Sequence, residues 1–296
     1  MEVNVSPTSS FRKLHNQTLL LCNARSVRKK WSNFKLEADL FRPNILAITE
    51  TWLSDDVCNS YAYYNYKQFT VNRNALVTDN PGGGVMLLFH PAYSVFQTTV
   101  PVAPPISCEA LAIVDANDRH CWVLVYLPDS RSAAVVSQLC AYLDYILSKH
   151  KSATIMGDFN MRDVKWDKCY ERQHLSESQR KFRHFCDSWD LHQIVESATR
   201  GCNYLDIILT THPERYGKVV VHSPINSDHS TVLCQLRVPL HERQQPVRFE
   251  KNFVQADYKA IAYHLSLCNW QAIFSGSLSV NQYWTTLYRL LSELVL

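Results

Sequence analysis

Two spacings of apolar residues alternate along this chain. TLLLCNARS (18–26), PNILAITETW (43–52) and SATIMGDF (152–159) lack a helical period and are bounded by turn residues, which predicts strands. The 43–52 run is apolar on both faces, as in a strand covered from two sides. Between residues 61 and 126, YKQFTV, GGVMLLFH, YSVFQTTV, CEALAIVD and HCWVLVYLP are separated by turn residues and predict antiparallel ribbons. YLDIILTT, KVVVHS and STVLCQLRV continue the series to residue 238. The second spacing is i, i+3/i+4. Val27, Trp31, Phe34, Ala38 and Phe41 predict a helix over 27–41, residues 132–150 form an amphipathic stretch with Ser132 as its cap, and a third helix covers 176–190. Strands interleaved with helices place the chain in the α/β class.

The pattern breaks near residue 240. LHERQQPVRFEKN (240–252) is polar and charged, and no strand or catalytic motif follows it. From Val280 onward, apolar residues at 280, 283, 284, 287, 290, 291, 294 and 295 again predict an amphipathic helix. The expected organisation is a flexible N-terminus over 1–16, one domain over 17–239, a linker over 240–254 and a helical C-terminal extension over 255–296.

Composition changes this picture little. The 296 residues are 46% apolar and carry a formal charge of +3, enough for a packed core but too little charge to announce nucleic-acid binding. No run approaches the roughly 18 apolar residues of a membrane span, and the N-terminus lacks a signal-peptide core. Ten cysteines occur without a CxxC pair, so they are read as reduced, mostly buried thiols of an intracellular protein.

The chemistry sits where strands end. The first strand runs into Asn23 and the second into Glu50. HCWVLVYLP reaches Tyr126, and IMGDFN (155–160) presents Asp158 and Asn160 two apart, hence on one face. Asp206 lies in an otherwise apolar run, and Asp228 and His229 precede the last strand. Each has an ordinary explanation alone: a turn, a solvated strand end, a structural histidine. Together they recur at the strand ends where α/β folds collect their chemistry. PGGGV (81–85) is not a phosphate-binding loop, since no Gly-Lys-Ser/Thr and no helix follow; it reads as a turn into a strand.

CNARS, AITETWL, GGGVMLLF, VYLP, IMGDFN, YLDIIL and SDHS, in that order, resemble the endonuclease/exonuclease/phosphatase superfamily. The likeness covers roughly residues 17–239 and is nearest to the apurinic-endonuclease-like domain of non-LTR retrotransposon polyproteins. It implies a four-layer α/β sandwich, two packed mixed sheets flanked by helices. It also implies a DNA endonuclease that nicks its target for target-primed reverse transcription. Oxygen donors without a Cys/His cluster suit Mg²⁺, or Mn²⁺, with Glu50 as main ligand, Asn23 beside it and Asp228 auxiliary. By the resemblance Asp158 orients and deprotonates water and Asn160 holds the water or the phosphate. His229, oriented by Asp206, donates to the scissile phosphate, and Tyr126 bonds a phosphate oxygen. Some relatives carry a second acid where Arg25 stands here, which leaves one metal or two open. Arg25, Arg162 and Arg200, with Arg28, Lys29, Lys30, Lys165 and Lys168, follow the same strand ends and offer a basic rim for DNA. The tail resembles the segment joining such nucleases to a reverse transcriptase, so that polymerase domain and element RNA are further expected partners. The expected state is a monomer acting in the nucleus, with no membrane partner. Two alternatives stay open: a phosphoinositide or sphingolipid phosphoesterase of the same fold, and a non-catalytic nucleic-acid-binding remnant.

Overall fold

The computed structural model describes residues 17–55, 57, 60–73, 82–162, 164, 166, 174–225, 227–237, 258–274, 283 and 287. In chain order the elements of the main unit are β1 (Gln17–Asn23), α1 (Trp31–Asp39), β2 (Ile45–Thr49), β3 (Lys67–Val71), β4 (Val85–Phe89), β5 (Val95–Gln97), β6 (Glu109–Asp115), β7 (Cys121–Tyr126), α2 (Ala133–Lys149), β8 (Ala153–Asp158), α3 (Glu177–Ser188), β9 (His192–Gln193), β10 (Asp206–Thr210), β11 (Tyr216–His222) and β12 (Thr231–Leu236). Among the described residues they pair into two six-stranded sheets, ordered β11-β12-β1-β2-β4-β3 and β5-β6-β7-β8-β10-β9. Each sheet has one parallel pair, β1–β2 and β7–β8, bridged by α1 and α2 respectively. A parallel pair needs such a crossover, whereas antiparallel neighbours such as β6 and β7 can be joined by a short turn.

Strand alternation builds the layers. Leu19, Leu21, Ile45, Ala47, Val85 and Leu87 of the first sheet pack against Leu111, Ile113, Trp122, Leu124, Met156 and Ile208 of the second. The opposite faces are also covered. Leu20, Leu46, Ile48 and Met86 lie with Phe34 and Ala38 of α1, while Val123, Val125 and Ile155 lie with Leu139, Leu143 and Ile146 of α2 and Phe182 of α3. Four layers therefore bury both faces of the central strands, which is why these runs are apolar without alternation. The expected four-layer α/β sandwich is what forms.

Two boundaries differ from the sequence expectation. The first helix starts at Trp31, not Val27: Val27 donates its N–H to the Thr51 carbonyl at 3.1 Å and is buried ahead of the helix. Asp206 is the first residue of β10 rather than an interior one. The two-residue β9 was not foreseen, since so short a pairing leaves no periodicity.

Gly157 shows why IMGDFN carries a glycine. Its φ is +139°, and a Cβ there would lie 1.8 Å from the Val125 carbonyl oxygen on β7. Gly157→Ala is expected to cost on the order of 3 kcal/mol or more, combining overpacking with backbone strain. A urea midpoint equal to that of the wild type would contradict this.

The chain divides into two compact units, Met1–His241 and Glu242–Leu296. The second contains α4 (Tyr258–Leu267) and α5 (Trp270–Ile273). The N-terminal segment 1–16, the linker 240–254 and most of the amphipathic stretch from Val280 lie outside the described residues. We expect a chain ending at Pro239 to stay soluble and melt cooperatively, because the described core is closed by β12. Loss of its cooperative transition would make the tail part of the domain.

Candidate active site

Strand pairing alone gathers the polar ends. Parallel pairing sets Asn23 of β1 level with Thr49 of β2, so Glu50 follows at the same edge. In the second sheet Tyr126 of β7 and Asp206 of β10 both pair with Asp158 of β8. His229 precedes β12, which runs antiparallel to β1, and so returns to the edge where Asn23 ends its strand. The edge is held in uncommon backbone geometry: φ is +40° at Arg25, +82° at Ser26, +53° at Glu50, +56° at Trp52 and +48° at Asn160. Such conformations cost roughly 1–3 kcal/mol each and persist where neighbours over-determine them. Here Ser26 N–H donates to the Glu50 carbonyl at 2.8 Å and Trp52 N–H to the Gly83 carbonyl at 2.8 Å.

Asn23 joins the two sheets. Its Nδ2 donates to Glu50 Oε1 at 2.9 Å and to Asp158 Oδ2 at 2.9 Å, while its Oδ1 accepts from Arg25 N–H at 3.1 Å. Two carboxylates facing one amide require its NH₂ end, so the network assigns the orientation. Trp52 Nε1 holds the other Glu50 oxygen at 3.1 Å. Asp158 Oδ1 accepts from Asn160 N–H at 2.9 Å, and Asn160 Nδ2 is pinned to the Leu127 carbonyl at 3.1 Å. Beside them Asp206 Oδ2 and His229 Nδ1 are 2.8 Å apart in a buried pair.

Burial and crowding set the proton affinities. Burial first, and then the charge of Asp206, push the Asp158 carboxyl up to about 8, against opposing contributions from His229, Asn160 and Asn23. For His229 burial lowers the affinity, but the Asp206 hydrogen bond and the Asp206 and Asp158 charges outweigh it and leave the imidazole above its ordinary 6.5. The stability from this pairing is therefore fully present below pH 6.5 and is lost as pH rises through the folded value. Asp206→Asn is expected to bring the His229 midpoint below that of the wild type, read from its ring-proton NMR shifts. An unchanged midpoint would dissociate the pair.

The donor set suits a divalent cation. Asp158, Asp206 and His229 offer ligand atoms within 4.8 Å of one another, and Glu50 lies across Asn23 from them. Asp206 Oδ1 is buried with no hydrogen-bond partner among the described residues, an orphaned acceptor that a cation would satisfy. Oxygen donors with a single imidazole match hard ions such as Mg²⁺ or Mn²⁺. The neighbouring thiol of Cys22 is held protonated by burial and by the Asp206 charge.

Comparisons with known proteins agree with this architecture. A family model described as endonuclease-reverse transcriptase matches residues 120–233. A 3′-5′ exonuclease (NExo) from Neisseria meningitidis superposes with a TM-score of 0.55 at 16% identity, covering 74% of this chain and 99% of that one. An AP endonuclease from Archaeoglobus fulgidus gives 0.57 at 13% identity over 75% and 100% of the two chains. The endonuclease domain of TRAS1, a telomere-specific non-LTR retrotransposon, gives 0.56 at 13% identity over 76% and 100%. No curated protein sequence matches. The chain has the endonuclease/exonuclease/phosphatase fold and resembles its apurinic-endonuclease-like branch.

Within this endonuclease/exonuclease/phosphatase fold the structure gathers Asn23, Glu50, Asp158, Asp206 and His229 into one polar cluster. Tyr126 is buried next to it, with its phenol pushed up first by burial and then by the charges of Glu50 and Asp158. Asn160 and Arg162 line a cavity of about 480 Å³ with Arg131, Ser178 and Gln179. Asp228 stays outside the cluster and pairs with Arg25 at 3.0 Å and Arg200 at 2.6 Å. Lys165 and Lys168 lie outside the described residues. Sequence reasoning missed three supports. Trp52 holds Glu50, and its only signal is the i+2 spacing in ETW. Thr199 accepts the Leu205 and Asp206 N–H groups at 3.2 and 3.0 Å. Arg73, paired with Glu109 at 2.7 Å, lies 5.6 Å from the Tyr126 ring centroid.

Proposed function

We propose that this chain is a divalent-metal-dependent DNA endonuclease, nicking target DNA for target-primed reverse transcription. The observation that carries the reading is the Asn23 amide bridging Glu50 and Asp158 across the two sheets, with the Asp206–His229 pair alongside. Phosphodiester hydrolysis needs an activated water, neutralised phosphoryl charge and a protonated leaving oxygen. Asp158 takes the proton of the attacking water, and the Asn160 backbone N–H fixes the Asp158 carboxylate. Water oxygen bonds to phosphorus as the P–O3′ bond breaks, and the departing O3′ takes a proton from solvent, leaving a 5′-phosphate and a 3′-hydroxyl. His229, oriented through Nδ1 by Asp206, and Tyr126 donate to phosphoryl oxygens. Glu50, with Asn23 and Trp52 holding its carboxylate, is the proposed ligand of Mg²⁺ or Mn²⁺, which when bound polarises the phosphoryl group. Arg25, Arg162 and Arg200 surround this edge and supply phosphate contacts along the DNA. The retrotransposon reading adds a reverse transcriptase domain and element RNA as partners, and the nucleus as the place of action. Among the described residues no helix is long and apolar enough to cross a membrane.

Substrate class is tested by offering labelled duplex DNA, sphingomyelin and phosphoinositides in parallel with Mg²⁺. DNA alone should be cut, giving a nick that a polymerase extends. Release of phosphate or phosphocholine from the lipids, with intact DNA, would overturn the assignment.

A further inference from the structure

Three charged side chains meet at the rim: two of the arginines assigned above to DNA phosphates, and Asp228, which has no role in that chemistry. Arg25 NH1 and Arg200 NH2 both reach the same atom, Asp228 Oδ2, at 3.0 and 2.6 Å. The three side chains keep 47%, 37% and 39% of their surface exposed, so the group faces solvent. Two guanidiniums on one carboxylate leave a net positive charge. Neither arginine is loosely placed. Arg25 sits at φ +40° two residues after Asn23, whose Oδ1 accepts its N–H. Arg200 closes a turn with Asn203, donating its N–H to the Asn203 carbonyl at 3.2 Å and accepting in return at 2.9 Å. The preceding residue, Thr199, receives Asp206 N–H through Oγ1 and Ser230 N–H through its carbonyl at 2.7 Å. Arg200 thus follows a residue bonded to Asp206 and to Ser230, the neighbour of His229, and its charge reaches the imidazole.

We infer that Arg25 and Arg200 form a phosphate seat whose occupant in the free protein is the Asp228 carboxylate, displaced when a DNA phosphate arrives. A guanidinium fork is shaped for the paired oxygens of either a carboxylate or a phosphate. Asp228 is adjacent to His229 in sequence, so a phosphate in this seat lies next to the proposed proton donor. The inference deepens the endonuclease reading and rests on it for naming DNA as the source of the phosphate. It also gives Asp228 a task opposite to metal ligation: the carboxylate competes with substrate and lowers its affinity.

The test is equilibrium binding of a fluorescein-labelled duplex in EDTA across a salt series, with inorganic phosphate as competitor, and separate Mn²⁺ titration by calorimetry. Asp228→Asn, and Asp228→Ser as a second variant in case the first misfolds, should bind DNA several-fold more tightly than wild type. Their Mn²⁺ affinity should be unchanged. Arg25→Ala and Arg200→Ala should weaken binding and each lower the salt slope by about 1. Equal or weaker DNA binding by the Asp228 variants, or loss of Mn²⁺ affinity in them, overturns the seat. If the Asp228 variants leave DNA affinity unaltered while Glu50→Gln abolishes nicking, the seat fails and the endonuclease reading stands. If DNA affinities shift as stated but the wild type never cuts DNA, the seat stands and the endonuclease reading fails.

Discussion

Glu50→Gln and Asp158→Ala are each expected to cut the nicking rate by on the order of 10²–10⁴ while the protein keeps its melting transition. Glu50 lies just past β2 and is half-buried, so its exchange removes charge without opening the core. Its two oxygens accept from Asn23 and Trp52. A glutamine turns an NH₂ toward one of those donors, which misplaces the side chain as well as neutralising it. Asp158→Ala removes the acceptor of two hydrogen bonds and the proposed base. It also removes a buried carboxylate that pays a desolvation cost, so stability should fall less than activity. Initial rates on supercoiled plasmid, with thermal melts of the same preparations, separate these effects. A wild-type rate in either variant removes that residue from the site.

The second large effect concerns Asp206 and His229. At 2.8 Å and buried, they form one unit: Asp206 orients the imidazole and raises its proton affinity against the effect of burial. Residues acting as a unit are non-additive. Asp206→Asn and His229→Ala should each cost on the order of 10²-fold or more in rate, and the double variant little more than the worse single one. Losses that multiply in the double variant would mean that the two act independently.

Much of this was readable before any coordinates, because it depends on local pattern. The 43–52 run, apolar without alternation, marked a strand covered on both faces, and polar residues closing several runs marked the strand ends that carry the chemistry. That Tyr126 and Asp206 both lie beside Asp158 came only from the strand pairing. What escaped was set by contacts between the sheets. The Asn23–Asp158 bond joins residues 135 positions apart, and no periodicity encodes which sheet face meets which. The strained turns escaped too, since positive φ at Glu50 and Asn160 falls on residues that are not glycine. Arg25 and Asp228 were visible singly, as a rim cation and an acid near a histidine. Only the fold shows that they satisfy each other, with Arg200 as the third member.

The central claim is metal-dependent cleavage of DNA at this edge. Supercoiled plasmid incubated with the purified protein in Mg²⁺, and in parallel with EDTA, tests it most directly. The account predicts conversion to open circles in Mg²⁺ and none with EDTA, restored when excess Mg²⁺ is returned. Plasmid left supercoiled in Mg²⁺ and in Mn²⁺, or nicked equally well in EDTA, would contradict it.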